Sequence, residues 1–186
     1  MPLSFEYSIL QGSKVFVLGA TNINEFTCFS EENYSKRNAD FYFDPSKSSI
    51  TFRDAVLKIS THSLNCGNTA MNINLCRALD ADHFPFIVVD LLEAHSKDGK
   101  PLDLKHATEM MAKVQLTLAG QERMNMINFS GVQTPSGAYH FTGEQKLSLR
   151  DYHIEPPTAL FGLVKVSDAI TVRFDLYASI HTDIAE

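Results

Sequence analysis

Ile170-Thr-Val172-Arg-Phe174-Asp-Leu176-Tyr-Ala178-Ser-Ile180 is apolar at every second residue, with Thr171, Arg173, Asp175, Tyr177 and Ser179 between. Successive side chains of a β-strand point to opposite faces, so this stretch has one dry face and one wet face along its whole length. Val172, Phe174, Leu176, Ala178 and Ile180 are expected inside. Arg173, Asp175 and Tyr177 are expected outside, because charges are rarely buried unpaired. The same alternation returns more weakly at 113–119 and 146–150, putting Val114, Leu116, Leu118, Leu147 and Leu149 on dry faces. Several long two-faced strands with few long helices point to an all-β fold. A curved antiparallel sheet wraps an apolar interior, most simply as a barrel.

Working outward, strands are expected near 5–10, 13–20, 26–35, 50–60, 85–95, 106–119, 123–132, 138–149 and 167–181. Turn chemistry separates them at Gln11-Gly12, Asp44-Pro45-Ser46, Lys97-Asp98-Gly99, Gly120, Pro135-Ser136-Gly137 and Pro156-Pro157. One short helix is expected over about 68–79. Met71, Leu75 and Leu79 recur at i, i+4 and i+8, and Asn68 suits the N-cap. A further short turn at 151–154 could be helical. After Pro156-Pro157 the chain stays almost wholly apolar through Val164. That segment either plugs one end of the core or forms a lid over a cavity.

No Gly-, Ser- or Pro-rich linker divides the 186 residues, which are read as a single domain over 1–186. The formal net charge of −6 speaks against nucleic acid, whose phosphates need a basic patch, and against adhesion to anionic lipid surfaces. No apolar run approaches the roughly 20 residues that cross a bilayer as a helix, and direct membrane insertion is not expected. Met1-Pro-Leu-Ser-Phe5 has neither the basic nor the apolar region of a signal peptide. That fits a cytoplasmic protein, or an exported one whose leader is absent.

The sequence lacks the Ser elbow, the P-loop, the dinucleotide fingerprint and the HExxH zinc pattern, so no catalytic residue, metal or cofactor is expected. Its seven histidines are scattered, and Asp80 and Asp82 read as solvated turn residues. Cys28, Cys66 and Cys76 form no CxxC pair, and either three free thiols or one disulfide with a thiol left over fits them. Phe129, Phe141 and Phe174 fall in three different strands. They either fill the core or line a space, since a barrel of about eight strands is just wide enough for one apolar ligand.

Six landmarks in order resemble the YceI-like, polyisoprenoid-binding family over residues 13–181. Ser13 to Leu18 leads into Gly19-Ala-Thr-Asn-Ile-Asn-Glu-Phe26, similar to that family's opening strand and turn. Phe41-Tyr-Phe43-Asp-Pro45 resembles its Phe-Asp-Pro turn, and Ser63-Leu-Asn-Cys-Gly-Asn68 its approach to the helix. Arg77 to Ile87, Val114-Gln-Leu-Thr-Leu-Ala-Gly120 and Leu149-Arg-Asp-Tyr-His-Ile154 follow in sequence. Thr69-Ala-Met71-Asn departs from the usual charged residues, while Cys28 and Cys66 fit a subgroup carrying T-N-x-N-x-F-x-C and C-G-N-x-x-M.

The resemblance implies an extended antiparallel lipocalin-like barrel that binds a long isoprenoid without catalysis, in many members after export to the periplasm. On that reading Leu116, Leu118, Phe129, Phe141 and Leu147 line a tunnel with Val172, Phe174 and Leu176, and Phe161 and Leu163 lie at or near its mouth. The partner is then an apolar lipid, isoprenoid or fatty-acid-like, and a homodimer is compatible. Two other readings stay open. One is an interaction or structural protein with a filled barrel; the other is an enzyme using the cavity with His83, His106 or His153 at its mouth. If strands 26–35 and 50–60 are antiparallel neighbours, Cys28 and Cys66 share one rim. A Cys28–Cys66 disulfide, leaving Cys76 free, is then expected, together with a periplasmic or secreted location.

Overall fold

The computed structural model describes residues 2–44, 46 and 48–182. Its strands are β1 (Leu3–Ile9), β2 (Lys14–Ala20), β3 (Glu25–Ser30), β4 (Arg37–Asp44), β5 (Ser49–Arg53), β6 (Val56–Ser60) and β7 (Phe86–Ser96). They continue with β8 (Thr108–Leu118), β9 (Gln121–Gln133), β10 (Tyr139–Ser148), β11 (Thr158–Ala159), β12 (Val164–Lys165) and β13 (Ala169–Thr182). Between β6 and β7 lies the helix α1 (Thr69–Ala78). The Asn68 side chain caps it by accepting from the backbone N–H groups of Ala70 and Met71.

Antiparallel pairing closes a ring of eight strands, β1-β4-β5-β7-β8-β9-β10-β13, back onto β1. The fold is therefore an all-β, lipocalin-like barrel. Strand β13 is the longest member, and its residues Ala169 to Ala178 pair with the whole length of β10. Its other edge is shared: Thr171 to Asp175 pair with β2, and Ala178 to Thr182 with β1. Strands β1 and β2 are thus one broken strand, as are β3 with β4 and β5 with β6. The breaks give the barrel two halves. The helix end carries β2, β3, β6, α1 and the β11–β12 hairpin; the far end carries β1, β4 and β5.

The alternation that decided the fold holds in the structure. Val172, Phe174, Leu176, Ala178 and Ile180 face the interior. On the wet face Arg173 lies 4.8 Å over the Phe16 ring, Asp175 is 2.7 Å from His140 Nε2, and Tyr177 stacks on His140. The β8–β9 hairpin closes through Ala119 (φ 48°) and Gly120 (φ 74°), the left-handed pair of a two-residue turn whose twist matches the strands.

The strand map needs three corrections. Residues 37–44 form a strand where none is expected, the Phe41-Tyr-Phe43-Asp-Pro45 sequence resembling a turn; Pro45 of that motif lies outside the described residues. The expected strand at 26–35 stops at Ser30, and 50–60 is broken at Asp54, whose φ is 63°. Finally, 156–164 is not irregular, although Pro157, Thr158, Ala159 and Val164 do face the cavity. It carries the small β11–β12 hairpin, which is paired at Ala159 and Val164 and bridged to Thr21 through Val166.

Candidate functional site

A cavity of about 850 Å³ extends through the barrel, near the upper limit of the range typical of small-molecule sites. Its two halves differ in chemistry. At the far end, Phe5 of β1 lies 5.7 Å from Phe41 of β4 and 6.3 Å from Phe52 of β5. Across the interior, Phe129 of β9 lies 6.1 Å from Phe141 of β10 and 6.5 Å from Phe174 of β13. At the helix end the wall is mostly aliphatic, Phe26 of β3 excepted: Leu118, Leu147, Leu149 and Ile170 form a buried cluster, with Leu75, Leu116 and Val172 packed against it.

Leu116, Leu118, Phe129, Phe141, Leu147, Val172, Phe174 and Leu176 all line this cavity. Phe161 and Leu163 do not. Both project into solvent from the hairpin tip, fully exposed in the case of Phe161, while Thr158, Ala159 and Val164 of the same hairpin face the cavity. The far-end aromatics Phe5, Phe41 and Phe52 are site residues that sequence reading missed. For Phe52 the signal was present, as Ile50 and Phe52 alternate with Thr51 and Arg53. Turn chemistry around Asp44 hid Phe41.

None of the described lining residues is Asp, Glu, Lys, Arg or His. The polar side chains that reach the wall are neutral, and most are already engaged. Tyr7 Oη donates to the Val56 carbonyl and accepts from the Val56 N–H, and Asn125 Nδ2 donates to Tyr152 Oη at 2.9 Å. Asn74 of α1 faces the cavity half-buried, with no hydrogen-bond partner among the described residues. The three histidines considered for catalysis lie elsewhere. His83 is exposed and bonded to Asp80 at 2.7 Å, which raises its pKa; His106 is exposed beside Asp103, and His153 ends a surface turn.

Two seams in the helix-end wall are closed by means other than a strand ladder. Among the described residues β3 and β6 do not pair; β3 runs beside β2 and β6 beside β7. Between them, Cys28 is bonded to Cys66, and the backbones of Phe29 and Asn65 exchange two hydrogen bonds of 2.9 Å. Ser30 Oγ meets Ser63 Oγ at 2.6 Å, and Glu32 accepts from the Ser60 N–H. The premise of neighbouring strands is therefore corrected: Cys66 reaches β3 from the segment after β6. Cys76 is free, 3.7 Å from His62 Nδ1, its thiol pKa pushed up by burial and then by Asp82.

The second seam opens between β9 and β10, which pair only from Phe129 to Gln133 against Gly143 to Tyr139. Tyr152 fills it. This side chain is 2% exposed and sits on a tight turn over Arg150–Tyr152. Asp168 holds that turn, accepting from Ser148 Oγ at 2.6 Å and from the Arg150 N–H at 2.9 Å. Those two bonds lower the Asp168 pKa, the Ser148 hydroxyl most.

An antiparallel ring of eight strands around a charge-free cavity defines the class of lipocalin-like barrels. The chain belongs to the YceI-like domain family, whose profile matches residues 17–178. Burkholderia cenocepacia BcnA shares the fold at 17% identity, over 90% of this chain and 96% of its own, with a TM-score of 0.62. A polyisoprenoid binding domain from Saccharophagus degradans, implicated in plant cell wall breakdown, matches at 13% identity, over 93% and 97%, with a TM-score of 0.62. The Campylobacter jejuni YCEI protein matches at 18% identity, over 75% and 78%, with a TM-score of 0.53. At these identities the likeness is one of fold. A search of the curated proteins finds no match.

Proposed function

We propose that this protein is a non-enzymatic carrier of a long-chain, uncharged lipid, an isoprenoid by preference, held inside the barrel. The observation that carries the reading is the cavity of about 850 Å³ with no Asp, Glu, Lys, Arg or His in its described lining. An ionised phosphate or carboxylate buried there would lack a partner, and an unpaired charge in an apolar medium is strongly disfavoured. A neutral head group, such as an alcohol, amide or quinone, needs only a hydrogen bond. Asn74 supplies one at the helix end. Each buried methylene contributes about 0.8 kcal/mol, so ten of them supply roughly 8 kcal/mol before ordering costs.

The family's membership of polyisoprenoid binders and the Saccharophagus domain support the isoprenoid class. The Cys28–Cys66 bridge supports work in an oxidising compartment, and we place the carrier in the periplasm or outside the cell on that ground. Organic extraction of the purified protein followed by mass spectrometry is the test. A neutral long-chain species in the extract, or saturable uptake of an added polyprenol, is expected. A lipid with an ionised head group, or an interior that takes up no polyprenol, would overturn the reading. Mass mapping under non-reducing conditions checks the compartment, which three free thiols would contradict.

A further inference from the structure

We infer that the β11–β12 hairpin tip and the neighbouring β2–β3 loop form a docking surface for an uncharged bilayer, through which the cavity meets its lipid. Leu160, Phe161, Leu163 and Ile23 are 66%, 108%, 73% and 69% exposed at this rim. Leu160 and Phe161 occupy the two central turn positions with φ of 50° and 56°. Those positions favour Gly, Asn and Asp, since L side chains rarely enter that region. Here the turn holds large apolar side chains instead, directed outward and away from the cavity that would bury them.

The tip is fixed in place. Asn22 grips the hairpin from both sides of its amide: Nδ2 donates to the Leu163 carbonyl at 2.9 Å, and Oδ1 accepts from the Lys165 N–H at 2.8 Å. Ile23 is the next residue. The other face of the same hairpin, with Thr158, Ala159 and Val164, is cavity wall, and Ile23 also touches the cavity. The exposed patch and the interior are therefore continuous.

Charge and area select the occupant. Residues 20–24 and 156–164 carry no charged side chain, which suits a zwitterionic interface rather than an anionic one. The four side chains expose on the order of 500 Å², below the about 800 Å² per partner of a stable protein interface. Tip insertion into an acyl boundary asks for no such area. The purpose of the dock rests on the carrier reading; the dock itself does not.

The chain has no tryptophan, so Phe161→Trp installs a sole reporter. With phosphatidylcholine vesicles its emission is expected to shift to the blue, be quenched by brominated acyl chains, and change little with salt. Ser136→Trp, on the opposite rim, is expected to stay unchanged. Leu160→Asp with Leu163→Asp is expected to weaken vesicle partitioning at least tenfold while farnesol dissolved below its aggregation limit still enters the cavity. Absence of the Phe161→Trp shift, an equal shift at Ser136→Trp, or binding confined to anionic vesicles would overturn the dock. A docking tip on a barrel that takes up no farnesol would overturn the carrier reading alone.

Discussion

The two halves of this barrel are built to different rules. At the far end, β7-β5-β4-β1-β13 form an unbroken antiparallel ladder, and phenylalanines from six strands face one another inside. At the helix end the same circumference has two stretches without a strand ladder, closed by a disulfide, one backbone bridge, a few side-chain bonds and one tyrosine. A continuous ladder satisfies its backbone groups internally and resists local opening; an interrupted one depends on individual residues. The half with Asn74 and the exposed hairpin is thus the half whose wall is held at points.

The strongest way to break this contrast is at the first seam. Cys28→Ser with Cys66→Ser is expected to cost about 4 kcal/mol on the chain-entropy view, given the 38-residue separation. Native-state hydrogen exchange should show β3 and β6 amides losing protection before those of β1, β4 and β8. A uniform loss over all strands would show that the halves do not open separately.

At the second seam, Tyr152→Ala removes the filler and is expected to cost about 3 kcal/mol, against about 1 kcal/mol for Tyr152→Phe, which loses only the bond from Asn125. Denaturant unfolding checks both, and equal costs would mean that the hydroxyl, not the ring, closes the gap. Where β9 and β10 begin to pair, a Cβ on Gly143 would sit 2.6 Å from the Phe174 ring and 2.8 Å from the Asn128 carbonyl oxygen. Gly143→Ala is expected to cost about 2 kcal/mol by overpacking, because that carbonyl belongs to the wall and cannot swing aside. A neutral result would mean that the far-end aromatics pack loosely.

The smallest expected effect lies where the halves join. Asp90 of β7 faces the β5–β6 break with Oδ1 buried and unpartnered among the described residues. Burial, and then Asp54, raise its pKa above the usual carboxylate value. The charged form is therefore the disfavoured one in the fold, and its burden vanishes as pH falls and the carboxyl takes a proton. With solvent screening of this partly exposed group taken into account, Asp90→Asn is expected to gain only roughly a few tenths of a kcal/mol near neutral pH and nothing in acid, read from urea midpoints across the pH range. A gain that persists in acid would point to packing instead.

The sequence showed the far-reaching strands best. Alternation in β8, β10 and β13 is long enough to assign both faces, and their inward residues line the cavity. Strand β4 was hidden because Asp40 and Asp44 sit in it as outward or terminal residues, a composition that local reading takes for a turn. The hairpin tip misled in a different way. Apolar residues after two prolines argue for burial, yet Leu160, Phe161 and Leu163 are held outward by a left-handed turn that no hydrophobic pattern encodes. The turn that carries Tyr152 was legible, but its role as filler was not, since nothing in a sequence reveals that two strands elsewhere have parted.

The shared edge of β13 also governs the order of assembly. Ser8 of β1 and Ser179 of β13 meet across a separation of 171 residues, and β2 docks on the same strand. Until β13 is in place, β1, β2 and β10 each present an open edge and the interior has no fourth side. Pairings of such long range place a barrel among the slower folders, on the order of milliseconds to seconds. Filling the interior therefore has a clock: an apolar molecule finds an enclosed space only after the latest strand has arrived, and a chain stalled before it offers its greasy side to any neighbour.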